Sequence, residues 1–340
     1  MKRFIFFRND RLGDFLLITN IIKSIKKKYP SSKITVVASK YNYNFIKKYE
    51  IIDDVILYNK SFNFLKKIEI FNKIVKESYY ASFAVDGKSF SNLCNIFLKS
   101  KNKFGLFYKF KFLGIPFLKP NIFNFLFFDK HETFTSKKYL NKVEHLPSKF
   151  IKLGNYLGLK IKKEEKYFYP PLKKIKKLPK QITNILNKKF ILIHLDEKWL
   201  DINDINENLY ENLLNFQKKI NKPILITSFK NSFDYFVNFK KKINKKKNRN
   251  IILFEDSSLE MMERVIYNSQ FAISCHSGYL VQVSGANNSK IIDIINKKDL
   301  IWYSCWVPKN TFHKFVFKSN NKEFFELKKI LFDISKIIKK

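Results

Sequence analysis

Two stretches of this chain alternate short apolar runs with amphipathic segments, and a lysine- and proline-rich segment divides them. In the first stretch Lys2–Phe7 is a short apolar run, followed by apolar residues at helical spacing (Phe15, Ile18, Ile22, Ile25) over Asp14–Lys28. Tyr29-Pro30 stops that helix, because proline can neither donate to it nor leave its neighbour helical. Strands are predicted at Lys33–Ala38, Asp54–Tyr58 and Ala81–Val85, and helices at Phe62–Glu77 and Ser89–Lys99. From Phe104 to Phe128 the pattern turns irregular and dense in Phe and Lys, and Asn141–Leu157 resumes as a helix.

Lys160–Lys180, with Pro170-Pro171, Pro179 and repeated lysines, has the composition of a linker. A second alternation follows, with strands predicted at Phe190–His194, Pro223–Thr227, Ile251–Phe254, Phe271–Ser274 and Lys290–Ile294. Its helices are predicted at Glu207–Ile220, Phe233–Ile243, Ser257–Tyr267, Gly278–Gly285 and Lys322–Ile338, and Ser257 with Glu260 spells a capping box. Strands alternating with helices imply βαβ units around parallel sheets. A length of 340 residues suits two domains of ordinary size. The expected fold is therefore α/β, with two doubly wound, Rossmann-like domains facing an interdomain cleft. The boundaries are 1–165, a linker at 166–182, 183–318, and a closing helix at 319–340. Ligands of such sheets sit beyond the carboxyl ends of the strands.

The net charge of +37 invites a nucleic-acid partner. The positive residues are almost all lysine, however, with arginine only at Arg3, Arg8, Arg11, Arg249 and Arg264. Readers of bases and phosphates favour the bidentate arginine fork, so no nucleic acid is expected. The lysine excess, alongside abundant Ile, Asn, Phe and Tyr, matches drift toward AT-rich codons. What function the charge leaves over is attraction to an anionic membrane surface or substrate. Cys94, Cys275 and Cys305 are odd in number and lack C-x-x-C spacing, which argues against a disulfide framework or a zinc site and for a reducing compartment. Arg8, Asp10, Arg11 and Asp14 interrupt the apolar start too early for a signal peptide, and no run of eighteen apolar residues is present. A cytoplasmic protein, soluble or peripheral on the inner face of the inner membrane, is expected.

Three segments could carry chemistry. At Arg8-Asn9-Asp10-Arg11-Leu12-Gly13-Asp14 a strand ends, a polar turn holds Gly13 and a helix begins. Asp14 then stands at a strand's carboxyl edge, where it could take a proton from a hydroxyl; an aspartate in a first helical turn also simply opposes the macrodipole. One glycine does not make G-x-G-x-x-G and no Walker lysine follows, so no dinucleotide or P-loop cofactor is expected. At Ser274-Cys275-His276-Ser277-Gly278 an apolar strand meets a short helix whose backbone N–H groups could receive a diphosphate, with side-chain donors from His276 and Ser277; a plain tight turn explains the same residues. At Asp196-Glu197-Lys198-Trp199, Lys198 could meet a phosphate as a point charge, or lie in a solvated loop.

Together these segments resemble glycosyltransferase family 9, the lipopolysaccharide heptosyltransferases. The family opens on a strand, a turn like R-x-D-R-L-G-D, and a helix ending in Y-P; here Arg8–Asp14 is followed by Leu16, Thr19, Ile25-Lys26 and Tyr29-Pro30. Ser258-Leu259-Glu260, then Phe271-Ala272-Ile273-Ser274 and Ser277-Gly278, are similar to the family's S-L-x-E helix, strand and D-S-G-x-x-H turn. The resemblance implies a GT-B fold, with an N-terminal acceptor domain, a C-terminal nucleotide-sugar domain and a last helix crossing back to the first domain. It implies inverting transfer without a metal or other cofactor, with Asp14 as the base and Arg8, Asp10, Arg11 and Gly13 forming the acceptor-side loop. Lys198, His276, Ser277 and Gly278 fall on its donor-binding positions. The implied partners are a nucleotide-sugar donor, ADP-heptose by analogy, and a lipid-linked glycan acceptor, handled by a monomer. The chain departs from the family where His276 replaces the turn aspartate, Val281 replaces the turn histidine, and Leu200 stands where K-x-W-P has its proline. The acidic residue after Ile224–Thr227 is also missing, unless Asp234 serves. The competing readings are a non-catalytic sugar-nucleotide- or glycan-binding protein on the same scaffold, or a transferase using another nucleotide sugar.

Overall fold

The computed structural model describes residues 1–112, 115–119, 126–162, 177–203, 205–228, 232–246, 250–255, 258–287, 289–319 and 326–339. These form two compact units: Met1–Lys173 with Ser304–Trp306, and Lys174–Tyr303 with Val307–Lys340. The expected linker at 166–182 lies largely outside the described residues, and Ser257 of the expected capping box lies outside them altogether.

The first unit is built on β1 (Arg3–Arg8), β2 (Lys33–Ala38), β3 (Asp54–Leu57), β4 (Ala81–Ala84), β5 (Lys103–Phe112), β6 (Ile115–Lys119) and β7 (Lys130–Thr135). The sheet order is β3-β2-β1-β4-β5-β6, with β7 also on β5. Every pair is parallel except β5 with β6. Strands covered on both faces must be apolar throughout, as β1 shows: Phe4, Ile5, Phe6 and Phe7 are all fully buried. Phe6 stacks on Phe83 at 4.6 Å and Phe83 on Phe104 at 4.8 Å, an aromatic row across β1, β4 and β5.

The helices of this unit are α1 (Leu12–Leu16), α2 (Thr19–Lys28), α3 (Phe64–Val75), α4 (Ser89–Phe97) and α5 (Leu146–Tyr156). The single helix expected over Asp14–Lys28 is therefore broken, and the Thr19 hydroxyl donates to the Leu16 carbonyl at the break (2.8 Å). The helix expected from Asn141 starts only at Leu146, where Pro147 occupies its first turn. The irregular Phe104–Phe128 segment holds the long strand β5 and the hairpin into β6. Phe104, Phe107 and Phe128 are core residues, while Leu126 and Phe127 are exposed.

The second unit repeats the plan with β8 (Ile191–Leu195), β9 (Ile224–Ser228), β10 (Ile251–Phe254), β11 (Phe271–Ser274), β12 (Lys290–Asn296) and β13 (His313–Lys318). All pairs are parallel, in the order β10-β9-β8-β11-β12-β13. Its main helices are α6 (Ile205–Ile220), α7 (Val237–Lys246), α8 (Leu259–Asn268), α9 (Gly278–Ala286) and α10 (Glu326–Lys339). Strand β13 was not anticipated, because only three consecutive apolar residues, Phe315–Phe317, lie between Lys314 and Lys318 on this sheet edge.

In the closing helix Leu327, Ile330, Leu331, Ile334 and Ile338 form a stripe at helical spacing that packs into the second unit's core beside α6. Glu326 anchors its start, its carboxylate accepting from the Asn203 N–H at 2.9 Å and the Ser319 N–H at 2.7 Å. The segment grouped with the first unit is Ser304–Trp306, where the Cys305 carbonyl accepts from the Leu146 N–H at 3.0 Å.

Candidate functional sites at the two switch points

Both sheets run 3-2-1-4-5-6 in their own strand order, so each has one place where neighbouring strands lead their connections to opposite sides. That switch point is where open α/β sheets bind ligands. In the first unit it lies between β1 and β4, and in the second between β8 and β11. Two of the three segments singled out in the sequence, Arg8–Asp14 and His276–Gly278, follow β1 and β11, and the third, Asp196–Trp199, follows β8.

The first site is organised around Arg8, the last residue of β1, which is 1% exposed. Its Nε donates to the Asp14 carbonyl at 2.9 Å and its Nη1 donates to the Val85 carbonyl. Its guanidinium lies 3.3 Å from the Asp10 carboxylate, 3.9 Å from that of Asp14, and over the Phe150 ring. Burial works against this charge, and Asp10 and Asp14 outweigh it, holding the guanidinium above its ordinary pKa. The turn is tied from outside as well: Asn42 Nδ2 donates to the Arg8 carbonyl at 2.8 Å, and the Ser39 hydroxyl donates to the Asp10 carbonyl.

Asp14 sits in the first turn of α1 with its side chain 27% exposed, and its Oδ2 accepts from the Arg11 N–H at 3.4 Å. Helix capping and an accessible carboxylate are thus combined in one residue. Asp10 is different. Burial pushes its carboxyl well above the usual range, Arg8 opposes this, and the charges of Asp14 and Asp86 reinforce it. Its Oδ1 is buried without a hydrogen-bond partner among the described residues. Gly13 is buried within α1, and Arg11 is exposed.

Three residues that the sequence did not single out complete this site. Asp86, just past β4, accepts from the Asn9 N–H at 3.1 Å, the Ser91 hydroxyl at 2.7 Å and the Lys88 N–H at 3.0 Å, and burial still raises its pKa. Lys88 Nζ donates to the Asn9 carbonyl. Tyr108 of β5 lies against Gly87 and within electrostatic reach of Arg8, Asp10, Asp14 and Asp86; its hydroxyl is pushed far above its ordinary pKa, chiefly by burial. The signal that could have found Asp86 was its place: a carboxylate next to a glycine, directly after the predicted strand Ala81–Val85.

In the second site the turn after β11 carries His276 at φ +54°, a left-handed backbone uncommon for a side-chain-bearing residue. Ser277 starts α9 and its N–H donates to the Ser274 hydroxyl at 3.0 Å; space beside Gly278 is open. Lys198 reaches across from the turn after β8, its Nζ donating to the His276 carbonyl at 2.6 Å. Lys318 Nζ donates in turn to the Lys198 carbonyl at 2.6 Å. Lys198, His276, Ser277 and Gly278 are thereby brought together. Beneath them His194 is buried, and burial with the nearby Lys198 charge holds its pKa down at about 3, so it is a neutral residue within 3.2 Å of the Thr227 hydroxyl. Asp196 is pushed up to about 6, chiefly by burial, with Lys198 opposing. Asp234 is exposed on its own turn.

The His276 ring packs on Tyr303 with centroids 3.8 Å apart, and its Nδ1 lies 2.8 Å from Oδ2 of Asp293 on β12. The turn therefore lacks its aspartate but regains a carboxylate from the neighbouring strand. Among the described residues no group of His, Cys, Asp or Glu is arranged to hold a metal ion, and the three cysteines are buried thiols, none of them in a disulfide.

No family model matches the sequence, and no curated protein matches it. Solved structures do match the fold. The chain is similar to E. coli ADP-heptose lipopolysaccharide heptosyltransferase II, at 10% identity and a TM-score of 0.64, over 99% of this chain and 98% of that one. It is similar to a family 9 glycosyltransferase from Veillonella parvula, at 12% identity and 0.63, over 100% and 89%. It is also similar to the UDP-GlcNAc 2-epimerase of Methanocaldococcus jannaschii, at 10% identity and 0.55, over 97% and 92%. Epimerases share the scaffold, so the fold admits more than one chemistry on nucleotide sugars. Over nearly its whole length, the chain has the GT-B fold seen in the heptosyltransferases.

Proposed function

We propose that this chain is an inverting, metal-independent glycosyltransferase that moves a sugar, heptose from ADP-heptose, onto a lipopolysaccharide core or related surface glycan. The carrying observation is Asp14: a part-exposed carboxylate at the carboxyl end of β1, fixed from below by a buried arginine. A base must keep its lone pairs directed at an acceptor hydroxyl, and Arg8 immobilises the turn by bonding its backbone. In transfer, Asp14 takes the hydroxyl proton as that oxygen attacks the anomeric carbon, and the nucleoside diphosphate leaves. General-base assistance of this kind accounts for about 10²–10⁴-fold of rate. The leaving diphosphate is received at the second switch point, by Lys198 and the start of α9 beside the open space at Gly278.

Among the described residues no helix is long and apolar enough to cross a membrane. Access to a lipid-linked acceptor is assigned to a surface of α3 and α4. Phe64 and Leu65 are 74% and 76% exposed, and Ile68, Leu93 and Phe97 are exposed as well. Phe71 and Phe97 touch edge to face, joining the two helices, and Lys60, Lys66 and Lys73 flank them. Apolar side chains ringed by lysine suit an anionic bilayer surface.

The deciding experiment is a screen of ADP-, UDP-, GDP- and CMP-sugars for transfer and hydrolysis by mass spectrometry, with Asp14→Asn as control. Transfer that needs Asp14 supports the proposal. Calorimetric binding without turnover would make the chain a sugar-nucleotide-binding module, and epimerised donor would make it an epimerase.

A further inference from the structure

Asp293 lies in the middle of β12 and is fully buried. A carboxylate there is costly unless it is paired and hydrogen-bonded. It has three partners: the Ser274 hydroxyl at 3.2 Å from Oδ1, and His276 Nδ1 at 2.8 Å and His313 Nε2 at 3.1 Å, both from Oδ2. Burial works against its charge, but the two imidazoles, His276 foremost, hold its pKa well below the usual carboxylate range. Each ring therefore donates an N–H to an ionised carboxylate.

The two histidines are not equivalent as carriers of a second proton. His313 has its other nitrogen, Nδ1, buried without a hydrogen-bond partner, so a proton there would be an unsatisfied buried donor. His276 has its Nε2 free of Asp293, on a ring that stands at the turn opening α9. The groups facing His276 are Asp293 from β12, His313 from β13, Tyr303 against the ring face, and Lys198 at its carbonyl, with Asp196 and Lys318 behind Lys198.

We propose that Asp293 is a positioning residue that orients His276 by holding its Nδ1, so that a proton on Nε2 makes this turn a proton-dependent contact for the diphosphate of a nucleotide sugar. His313 fixes the carboxylate from the other side. The inference rests on the donor role proposed above for this turn.

The test is calorimetric binding of ADP-glucose and UDP-glucose to the full chain across the range in which histidine titrates. The diphosphate diester of these probes has no proton that titrates near neutrality, so any pH dependence belongs to the protein. Wild-type affinity is expected to weaken about tenfold from roughly pH 6 to pH 8, the worth of one charge-assisted hydrogen bond. Asp293→Asn and His276→Gln should each bind weakly at all pH values and show a flat profile. Because Asp293 is a core residue, its variant is checked by thermal melting, and His276→Gln gives the second reading if it does not fold. Wild-type binding that is flat in pH, or an unchanged profile in His276→Gln, overturns the role of the triad and leaves the transferase proposal standing. Failure of both probes to bind at any pH also overturns it, and the turnover screen then decides the transferase proposal separately.

Discussion

Arg8 holds Asp14 twice: its Nε donates to the Asp14 carbonyl at 2.9 Å while its Nη2 lies 3.9 Å from the same residue's carboxylate. One buried cation thus sets both the backbone and the side chain of the proposed base. The two residues should fail differently when changed. Asp14→Asn keeps most of the local bonding and should melt near wild type, while losing about 10²–10⁴-fold in turnover. Arg8→Lys cannot reproduce the planar fork, and losing a buried ionic partner typically costs roughly 3–5 kcal/mol. Its melting temperature should fall markedly along with activity. Thermal melts and initial rates on the same preparations check both, and an Asp14→Asn enzyme with wild-type turnover would remove Asp14 from the chemistry.

Asp10 makes a prediction with a definite sign. Its folded-state pKa is raised, chiefly by burial, so the native state binds more protons than the unfolded chain between the ordinary carboxylate value and the raised one. Stability then falls as pH rises through that window. Asp10→Asn should remove the fall, melting higher than wild type at neutral pH by a few degrees, on the order of 2–4 °C per kcal/mol for domains of this size. At acidic pH, where both forms are uncharged here, the difference should vanish. A variant that melts lower than wild type at neutral pH would mean that its ion pair with Arg8 outweighs the burial.

Gly87 sits at φ +64°, and a Cβ there would come 2.1 Å from Tyr108 Cε2. Gly87→Ala therefore meets both backbone strain and a clash, at a cost of roughly 1–3 kcal/mol. The clash is with a side chain and the strain is not. In a Tyr108→Ala background the same glycine change should cost less without becoming free, which a double-mutant cycle by chemical denaturation resolves. Equal cost in both backgrounds would leave strain as the whole effect.

The legibility of these sites follows sequence distance. The Arg8–Asp14 turn could be read because strand, glycine, carboxylate and helix are consecutive, and so could the turn at His276–Gly278. The partners that complete them were hidden. Asp86 reaches Asn9 across 77 positions because β4 pairs with β1, and from the next two strands of the second sheet Asp293 reaches His276 and His313 reaches Asp293. Strand pairing brings these residues together, and a linear pattern does not state which strands pair. The closing helix shows the same limit. Its apolar stripe was legible, but amphipathicity says only that one face is covered, and not that α6 is among the elements that cover it. The irregular Phe-rich stretch hid β5 for another reason: four successive buried residues, Phe104–Phe107, are followed by Lys109 and Lys111 inside the same strand, so no period of two runs through it.

The α3–α4 surface separates two explanations of the lysine excess. If codon drift alone placed the lysines, charge would be spread without regard to apolar exposure, and binding to lipid would follow net charge. If the surface is a docking face, the exposed rings and side chains of Phe64, Leu65 and Phe97 should matter beyond charge. Co-sedimentation with vesicles of about 30% phosphatidylglycerol, against vesicles of phosphatidylcholine alone, distinguishes them. Phe64→Ser with Leu65→Ser should cut binding to anionic vesicles about tenfold or more, since each buried large apolar side chain contributes roughly 1.5–3 kcal/mol. Soluble turnover on a lipid-free acceptor should be unchanged, because neither residue lies at a switch point. Replacing Lys66 and Lys73 by glutamine should weaken binding in low salt more than in high salt. If the apolar pair can be removed without loss of vesicle binding, the lysines alone account for the attraction and α3–α4 is not the docking face.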